Sequence, residues 1–166
     1  MSFLSSIAKI TDYMYLCGER AITRTRLNKL GITDVVNCTL DVPNRMDPGI
    51  KCVQISIPDR PFSQLDVHFD RVSDLIHKVH SRGGKVLVHC VAGVSRSATL
   101  CIAYLMKHQN MTLFDAHHFV WTQRKIVRPN PGFWKQLIAY ERKIHGRNTV
   151  KMVNSIVGSV PNIYLM

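Results

Sequence analysis

The most constraining feature of this sequence is the segment KVLVHCVAGVSRSATL, residues 85–100, in which Cys90 and Arg96 flank a five-residue loop. The apolar run before Cys90 predicts a buried strand, and the run from Arg96 predicts a helix. A tight loop between a strand and a helix N-terminus directs backbone N–H groups inward and adds the partial positive charge of the helix dipole. The segment therefore predicts an anion-binding site within an α/β fold.

Polar side chains around this loop suit chemistry at phosphorus. A thiol at Cys90 is a candidate nucleophile, because a loop that binds an anion also stabilises a thiolate. The planar fork of Arg96 can bind two phosphate oxygens at once. Ser97 can donate a hydrogen bond to the sulfur when it departs as thiolate. Together these residues predict displacement at phosphorus through a cysteinyl-phosphate.

A buried structural cysteine beside a helix cap is the alternative interpretation of this segment. That alternative leaves Arg96 unexplained, because the helix dipole disfavours a positive charge at a helix start unless an anion is present. Gly93 supplies the backbone freedom that a sharp loop needs. We expect His89 to support the loop by hydrogen bonding and to tune Cys90, rather than to shuttle protons.

The motif HCVAGVSRSAT resembles the signature loop of the dual-specificity protein phosphatases, a branch of the protein tyrosine phosphatase superfamily. The resemblance continues through YLCGERAIT, GITDVVNCT, IPDRP, AYLMK and RPNPGFWKQLIAYE, and covers roughly residues 8–150. It is strongest to the small atypical members, which have a catalytic domain without a kinase-docking domain. It implies an α/β fold of the protein-tyrosine-phosphatase type, with a central, mostly parallel twisted sheet flanked by helices. The reaction through a cysteinyl-phosphate needs no metal or other cofactor, so none is expected. The resemblance also implies that substrate phosphate is bound by the loop, Val91, Ala92, Gly93, Val94, Ser95 and Arg96.

The cysteinyl-phosphate route needs an acid for the leaving oxygen and then a base for water, and one carboxylate can serve as both. Asp59 is the candidate, because it follows a predicted strand, lies between Pro58 and Pro61, and matches the family's general acid. An ordinary turn aspartate is the alternative. Asp66 and Asp70 are rivals, but Asp66 fits a helix N-cap and Asp70 falls within a helical stretch.

Two further residues are candidates for supporting roles. Asn130 precedes Pro131, the pattern of a helix N-cap followed by the first helical residue. In the family, an asparagine in this RPN context helps to hold the phosphate loop, so Asn130 is expected to support the site. Cys101 is expected in a helix core, and a role as resolving thiol for oxidised Cys90 is an alternative that its spacing does not demand.

The length of 166 residues, with 46% hydrophobic residues, is typical of one globular domain. We expect a catalytic domain over residues 1–150. The apolar tail, 151–166, is expected to pack on the domain or to form a dimer contact, with a peripheral membrane contact as an alternative. We expect neither a transmembrane segment nor a signal peptide. The oligomeric state stays open.

The formal net charge of +11 is uneven, because residues 116–166 hold eight lysines and arginines and a single acid, Glu141. Such a surface favours a phosphorylated protein partner, and no nucleic acid is expected because no aromatic RNA-binding motif accompanies it. Five cysteines without a C-x-x-C pair predict reduced thiols in a cytoplasmic and/or nuclear protein. The histidines lack partners at metal-ligand spacing, so no metal site is predicted.

The loop carries no lysine, which argues against phosphoinositide substrates, and its pattern differs from that of RNA triphosphatases. A chain this short predicts a shallow cleft that admits phosphoserine and phosphothreonine as well as phosphotyrosine. The resemblance suggests MAP kinases or related signalling proteins as substrates. The alternatives are an RNA or lipid phosphatase on the same scaffold and a non-catalytic scaffold that binds phosphoproteins.

Hydrophobic periodicity and breaker residues place the secondary structure. A loop rich in breakers is expected at 43–49. The predicted strands are 8–10, 14–16, 34–38, 52–57 and 86–89, and the predicted helices are 22–30, 67–81, 96–109, 112–125 and one that starts at 130–131.

Overall fold

One mixed sheet organises the computed structural model, which describes residues 2–44 and 48–166. The sheet has the spatial order β1-β2-β5-β3-β4, with β1 antiparallel to β2 and the other neighbours parallel. The predicted α/β fold with a central, mostly parallel sheet is confirmed. The five strands are β1 (Ile7–Lys9), β2 (Met14–Gly18), β3 (Asp34–Asn37), β4 (Lys51–Gln54) and β5 (Val86–Cys90).

Five helices cover the two faces of this sheet unequally. Alternating side chains of a strand point to opposite faces, so Leu87 of β5 packs with Leu27 of the first helix, whereas Val86 and Val88 face the larger core beneath the other helices. The helices are α1 (Arg24–Leu30), α2 (Phe69–Ser81), α3 (Arg96–His108), α4 (Leu113–Gln123) and α5 (Pro131–His145).

Helix α3 lies at the centre of the larger layer. Every residue from Arg96 to Met106 is buried, and the helix packs against α2, α4, α5 and β5. All five residues of β5 are buried too, because β5 pairs with β2 on one side and β3 on the other. The loop that joins β5 to α3 is therefore anchored at both ends in the most enclosed part of the molecule.

Several boundaries differ from the sequence prediction for identifiable reasons. Helix α1 begins at Arg24 rather than at residue 22, because Thr23 is its N-cap and accepts a hydrogen bond from the Arg26 N–H at 3.1 Å. Helix α2 begins at Phe69 rather than 67, because Asp66–His68 form a short 3-10 turn in which Val67 is 64% exposed. The expectation that Asp66 caps this helix with its side chain was therefore wrong.

Strand β4 ends at Gln54 rather than at residue 57, although Ile55 still donates a backbone hydrogen bond to Asn37 at 2.8 Å. Within the predicted loop 43–49, residues 45–47 lie outside the described part of the chain. The N-cap predicted at Asn130 is confirmed for α5, and Thr112 is the N-cap of α4. Thr112 accepts a hydrogen bond from the Asp115 N–H at 3.1 Å, and Asn130 accepts one from the Phe133 N–H at 2.9 Å.

The C-terminal segment forms a hairpin of β6 (Met152–Ser155) and β7 (Gly158–Pro161), followed by a 3-10 turn, Asn162–Leu165. Strand β7 packs against α5, and the indole N–H of Trp134 donates to the Tyr164 hydroxyl at 2.9 Å. This hairpin was not predicted from the sequence. Within residues 2–44 and 48–166, every helix is too short or too polar for a bilayer span.

A buried carboxylate joins α5 to the N-terminus of α4. Glu141 has no exposed surface, and it accepts hydrogen bonds from the Leu113 N–H at 2.8 Å, the Thr149 N–H at 2.7 Å and the Thr149 hydroxyl at 2.7 Å. A carboxylate at a helix N-terminus satisfies free backbone donors and opposes the positive end of the dipole. The single acid of the basic C-terminal third is thus a structural group.

We expect Glu141→Ala to lower the free energy of unfolding by about 2–4 kcal/mol, because it leaves buried donors without an acceptor. Glu141→Gln keeps one acceptor oxygen and is expected to cost about half as much. Urea denaturation of the two variants and the wild-type protein measures both values. Equal stability of all three proteins would contradict this role for the carboxylate.

Candidate active site

Cys90 ends β5, and its sulfur has two hydrogen-bond partners. The backbone N–H of Gly93 donates to Cys90 Sγ at 3.2 Å, and the hydroxyl of Ser97, in the first turn of α3, lies 3.0 Å from the same sulfur. The loop between them closes around the thiol as the sequence predicted. Cys90, Gly93 and Ser97 therefore meet at one point at the N-terminus of α3.

The carbonyl groups of this loop point away from the thiol, because each from Val91 to Ser95 accepts a hydrogen bond from outside the loop. A peptide N–H points opposite to its carbonyl, so this arrangement turns the loop N–H groups towards the thiol side and forms an anion-binding concavity. The donors to residues 91–95 in order are the Glu19 N–H, the Arg124 guanidinium for both Ala92 and Gly93, the Arg128 N–H, and the Thr99 N–H and hydroxyl.

Arg124 is a structural residue of the site that sequence reasoning missed. Its side chain is buried, and its guanidinium donates to the Gly93 carbonyl at 2.9 Å, the Ala92 carbonyl at 3.0 Å and the Ser6 carbonyl at 3.1 Å. Burial lowers the pKa of Arg124. Arg124 was expected to be one of the surface charges of residues 116–166, and no local pattern distinguishes it from its neighbour Lys125.

Close backbone contact between β2 and the loop requires glycine at two positions. Gly93 has a φ of +68°, and a Cβ there would lie 2.5 Å from the backbone carbon of Cys17. A Cβ at Gly18 would lie 2.6 Å from the Val91 carbonyl oxygen. The role predicted for Gly93 in shaping the loop matches this geometry, and Gly18 adds a requirement that the sequence analysis did not identify.

Arg96 begins α3 and retains unused hydrogen-bonding capacity. It is 9% exposed, and one guanidinium nitrogen, Nη1, donates to the Ile57 carbonyl at 3.0 Å. Its Nε is shielded from solvent and has no hydrogen-bond partner in the described part of the chain. The bond from Nη1 to the Ile57 carbonyl holds the side chain in place. A buried donor without a partner is costly, and an oxygen of a bound anion would supply the partner that Nε lacks.

Asn130 connects three parts of the site. Its amide nitrogen donates to Asp59 Oδ1 at 2.8 Å, and its backbone N–H donates to the Ser95 hydroxyl at 2.9 Å. Its amide oxygen caps α5. The loop that carries Asp59 is thereby tied to the phosphate-loop candidate on one side and to a helix start on the other.

The backbone of the Asp59 loop also packs closely on α5. A Cβ at Gly132 would lie only 1.8 Å from the Pro61 carbonyl oxygen, so only glycine fits there. Asp59 itself is exposed. This contact, which the sequence analysis missed, sets the height of the Asp59 loop above α5.

His89 is buried beneath the loop, and its Nδ1 lies 3.3 Å from the Cys90 carbonyl oxygen. Burial lowers the pKa of His89, which favours the neutral imidazole. Burial also raises the pKa of three other thiols, that of Cys17 to about 12, and those of Cys38 and Cys101 likewise upward. Those three cysteines are thiols at neutral pH, and Cys101 lies in the core as expected.

A groove of about 660 Å³ opens beside the loop, and Val91 at its edge is 43% exposed. Glu19, Arg20, Asp41 and His89 contribute to its lining. The Val91 end of the loop thus borders a solvent-exposed groove. The residues that the structure describes contain no group of three or more His, Cys, Asp or Glu side chains placed to hold a metal ion.

Comparison with known proteins shows the family of this chain. Residues 14–143 match the family model described as the dual specificity phosphatase catalytic domain. The chain belongs to the dual specificity phosphatase family. It is 48% identical to dual specificity protein phosphatase 14 of Bos taurus over 162 residues, which cover 97% of this chain and 82% of the relative.

Solved structures of small family members have the same fold. Human DUSP28 superposes with a TM-score of 0.81 at 31% identity, covering 84% of this chain and 95% of that one. A mouse putative dual specificity phosphatase, crystallised as a complex with zinc tungstate, also gives a TM-score of 0.81 at 31% identity, covering 86% and 90%. The protein is a dual-specificity protein phosphatase, and its substrates are phosphoproteins.

We expect Gly132→Ala to lower kcat/KM for a phosphopeptide by about 10- to 100-fold, because the Asp59 loop must move away from α5. The matched control is Gly49→Ala, since a Cβ at Gly49 meets nothing within 4 Å. Alanine normally stabilises a helix relative to glycine by about 1 kcal/mol, so helix propensity cannot explain a loss. Wild-type kinetics for folded Gly132→Ala would contradict this packing argument.

Proposed function

We propose that the protein hydrolyses phosphotyrosine and phosphoserine or phosphothreonine through a cysteinyl-phosphate intermediate, with MAP kinases or related signalling proteins as substrates. The observation that carries the proposal is the position of Cys90 Sγ, which lies 3.2 Å from the Gly93 N–H and 3.0 Å from the Ser97 hydroxyl. Two donors at the N-terminus of α3 stabilise negative charge on sulfur. A thiolate held there is a nucleophile at the base of an anion site.

Substrate phosphate binds to the inward N–H groups of the loop and to Arg96. The Ile57 carbonyl fixes the guanidinium through Nη1, so its free Nε edge can face a phosphate oxygen. The mouse relative was crystallised as a complex with zinc tungstate, and tungstate is a tetrahedral oxyanion like phosphate, which supports binding of such an anion in this family. The bound phosphate also offsets the unfavourable position of Arg96 at a helix N-terminus.

In the first chemical step, the Cys90 thiolate attacks phosphorus, a sulfur–phosphorus bond forms, and the bond from phosphorus to the leaving oxygen breaks. Asp59 donates a proton to that oxygen, so the product leaves as a neutral alcohol or phenol. The Asn130 amide orients the carboxyl through Oδ1, which leaves Oδ2 available for the proton.

In the second step, water attacks phosphorus while the Asp59 carboxylate accepts its proton. The sulfur–phosphorus bond breaks, inorganic phosphate leaves, and the Ser97 hydroxyl donates a hydrogen bond to the departing thiolate. The same carboxyl group thus acts first as acid and then as base, and Asp59 returns to its starting protonation state.

The open site supports a broad choice of phosphorylated residue. Asp59 is exposed and Val91 is 43% exposed, so short phosphoserine and phosphothreonine side chains can reach the loop. Seven of the eight lysines and arginines in residues 116–166 are exposed, with Arg124 the exception. That surface supports an acidic, phosphorylated substrate segment such as a kinase activation loop. The mechanism needs a reduced Cys90, which supports a cytoplasmic or nuclear site of action.

The decisive test compares the wild-type protein with Cys90→Ser on phosphotyrosine and phosphothreonine peptides in the presence of a metal chelator. We expect turnover of both peptides by the wild type and none by the variant. A folded wild-type protein that turns over neither peptide, but hydrolyses RNA 5′-triphosphate or a phosphoinositide, would replace the protein-substrate proposal. The doubly phosphorylated activation-loop peptide of a MAP kinase, assayed beside a neutral phosphopeptide, tests the substrate class.

Asp59→Asn is expected to lower kcat by about 10²- to 10⁴-fold for a phosphothreonine peptide, whose alkoxide leaving group needs a proton. The loss is expected to be much smaller for an aryl phosphate with an acidic phenol, because that oxygen can leave unprotonated. The measurement is kcat across aryl phosphates of increasing phenol pKa. An equal loss for every leaving group would rule out Asp59 as the acid.

Ser97→Ala is expected to slow hydrolysis of the cysteinyl-phosphate more than its formation. Rapid-mixing experiments with an aryl phosphate should then show a stoichiometric burst of phenol followed by slow turnover, with phosphate trapped on Cys90. Ser81→Ala, which removes an exposed hydroxyl at the end of α2 that bonds only the His77 carbonyl, is the matched control. A proportional slowing of both steps in Ser97→Ala would contradict the role assigned to its hydroxyl.

A further inference from the structure

A second cavity, of about 440 Å³, lies between α4 and the C-terminal 3-10 turn. Its volume is within the range of small-molecule sites. Phe114 and Trp121 in its wall are each 36% exposed, and Tyr164 closes the opposite side. Large aromatic side chains grouped at a surface mark binding sites, and the phosphatase reaction as proposed above does not use them.

Two cations line this cavity without acidic partners. Lys125 Nζ lies 3.6 Å from the ring centroid of Trp121, and the Arg128 guanidinium carbon lies 4.2 Å from that of Tyr164. Neither cation forms a salt bridge within residues 2–44 and 48–166. Contact with an aromatic face leaves N–H donors free, so these side chains favour an anion.

A buried polar group provides an independent indication of a ligand. His117 lines the cavity, is 8% exposed, and has ring contacts with Trp134 at 4.9 Å and Tyr164 at 6.2 Å. Its Nε2 has no hydrogen-bond partner in the part of the chain that the structure describes. Burial, and to a lesser extent His118, lowers the pKa of His117 to about 4. The Nε2 atom of this neutral imidazole can therefore form a hydrogen bond with a ligand in the cavity.

We propose that this cavity binds a small amphipathic anion, whose apolar body lies against Trp121 and Tyr164 and whose carboxylate meets Lys125 and Arg128. The aromatic walls favour an apolar body, and the two cations favour a negatively charged head group. A cationic ligand is excluded by those charges.

The cavity is connected to the active site by residues 124–128. Arg124 holds the carbonyls of Ala92 and Gly93, and the Arg128 N–H donates to the Val94 carbonyl at 2.8 Å. The intervening residues 125–127 line the cavity. A ligand that orders this segment therefore changes the affinity of the loop for phosphate, and phosphate changes the affinity of the cavity by the same factor.

Intrinsic fluorescence measures occupancy directly, because the two tryptophans of the chain are Trp121 in the cavity wall and Trp134 beside His117. The probe is decanoate, with 1-decanol as its uncharged counterpart. We expect saturable binding of decanoate with a Kd below about 1 mM, and decanol at least about fivefold weaker. Lys125→Met is expected to weaken decanoate binding about three- to tenfold, whereas Lys29→Met, which removes a charge from α1, leaves it unchanged.

Equal affinity for decanol and decanoate, or equal decanoate affinity of Lys125→Met and the wild type, would overturn the assignment of an anion site. The connection to the loop is tested separately with an aryl phosphate. Saturating decanoate is expected to change the wild-type KM by about twofold or more, and the same concentration is expected to change it less in Lys125→Met. An unchanged KM with decanoate bound would overturn the connection.

Discussion

The outward hydrogen bonding of the carbonyls from Val91 to Ser95 determines the rest of this structure. Because each peptide unit is planar, fixing five carbonyls away from the thiol fixes the N–H groups towards it. The donors come from three parts of the chain: the 3-10 turn after β2 through Glu19, α3 through Thr99, and the segment after α4 through Arg124 and Arg128. The anion site exists because the surrounding residues donate hydrogen bonds to the outward-facing carbonyls, which leaves the inward N–H groups for an anion.

This arrangement places positive charge next to the loop in a position that is shielded from solvent. Arg96 and Arg124 are both buried, the dipole of α3 adds to them, and no carboxylate neutralises the two guanidinium groups within the described chain. These buried positive charges destabilise the folded protein until an anion binds, which is the expected cost of a prearranged binding site. The burial of β5 and of residues 96–106 of α3 is the compensation, because a firmly packed strand and helix hold the loop ends in place.

Local chemistry was predictable from the sequence, and long-range support was not. One short segment of loop and helix start contains Cys90, Gly93 and Ser97. Their proximity therefore follows from the local sequence. Arg124 contacts Gly93 across 31 residues of sequence, and a basic residue after a helix carries no local sign that it is buried. The local sequence also gives no sign that position 132 must be glycine, because the Pro61 carbonyl of another loop leaves no room for a side chain there.

Charge patterning shows the same limit in a different form. The basic character of residues 116–166 is a property of composition, but the residues in it have at least three physical roles. Arg124 satisfies carbonyls, Glu141 caps α4, and Lys125 and Arg128 lie on aromatic rings. Only burial and contacts separate these roles, since a sequence count assigns every lysine and arginine the same weight.

The segment 124–128 both supports the phosphate loop and lines the second cavity, so it links the two sites. Its Arg124 side chain and Arg128 N–H face the phosphate loop, whereas Lys125 and the Arg128 guanidinium face the aromatic cavity. A segment this short cannot move one face without moving the other. Any ligand that selects one arrangement in the cavity therefore selects the loop geometry that accompanies it, and coupling between the two sites needs no domain movement.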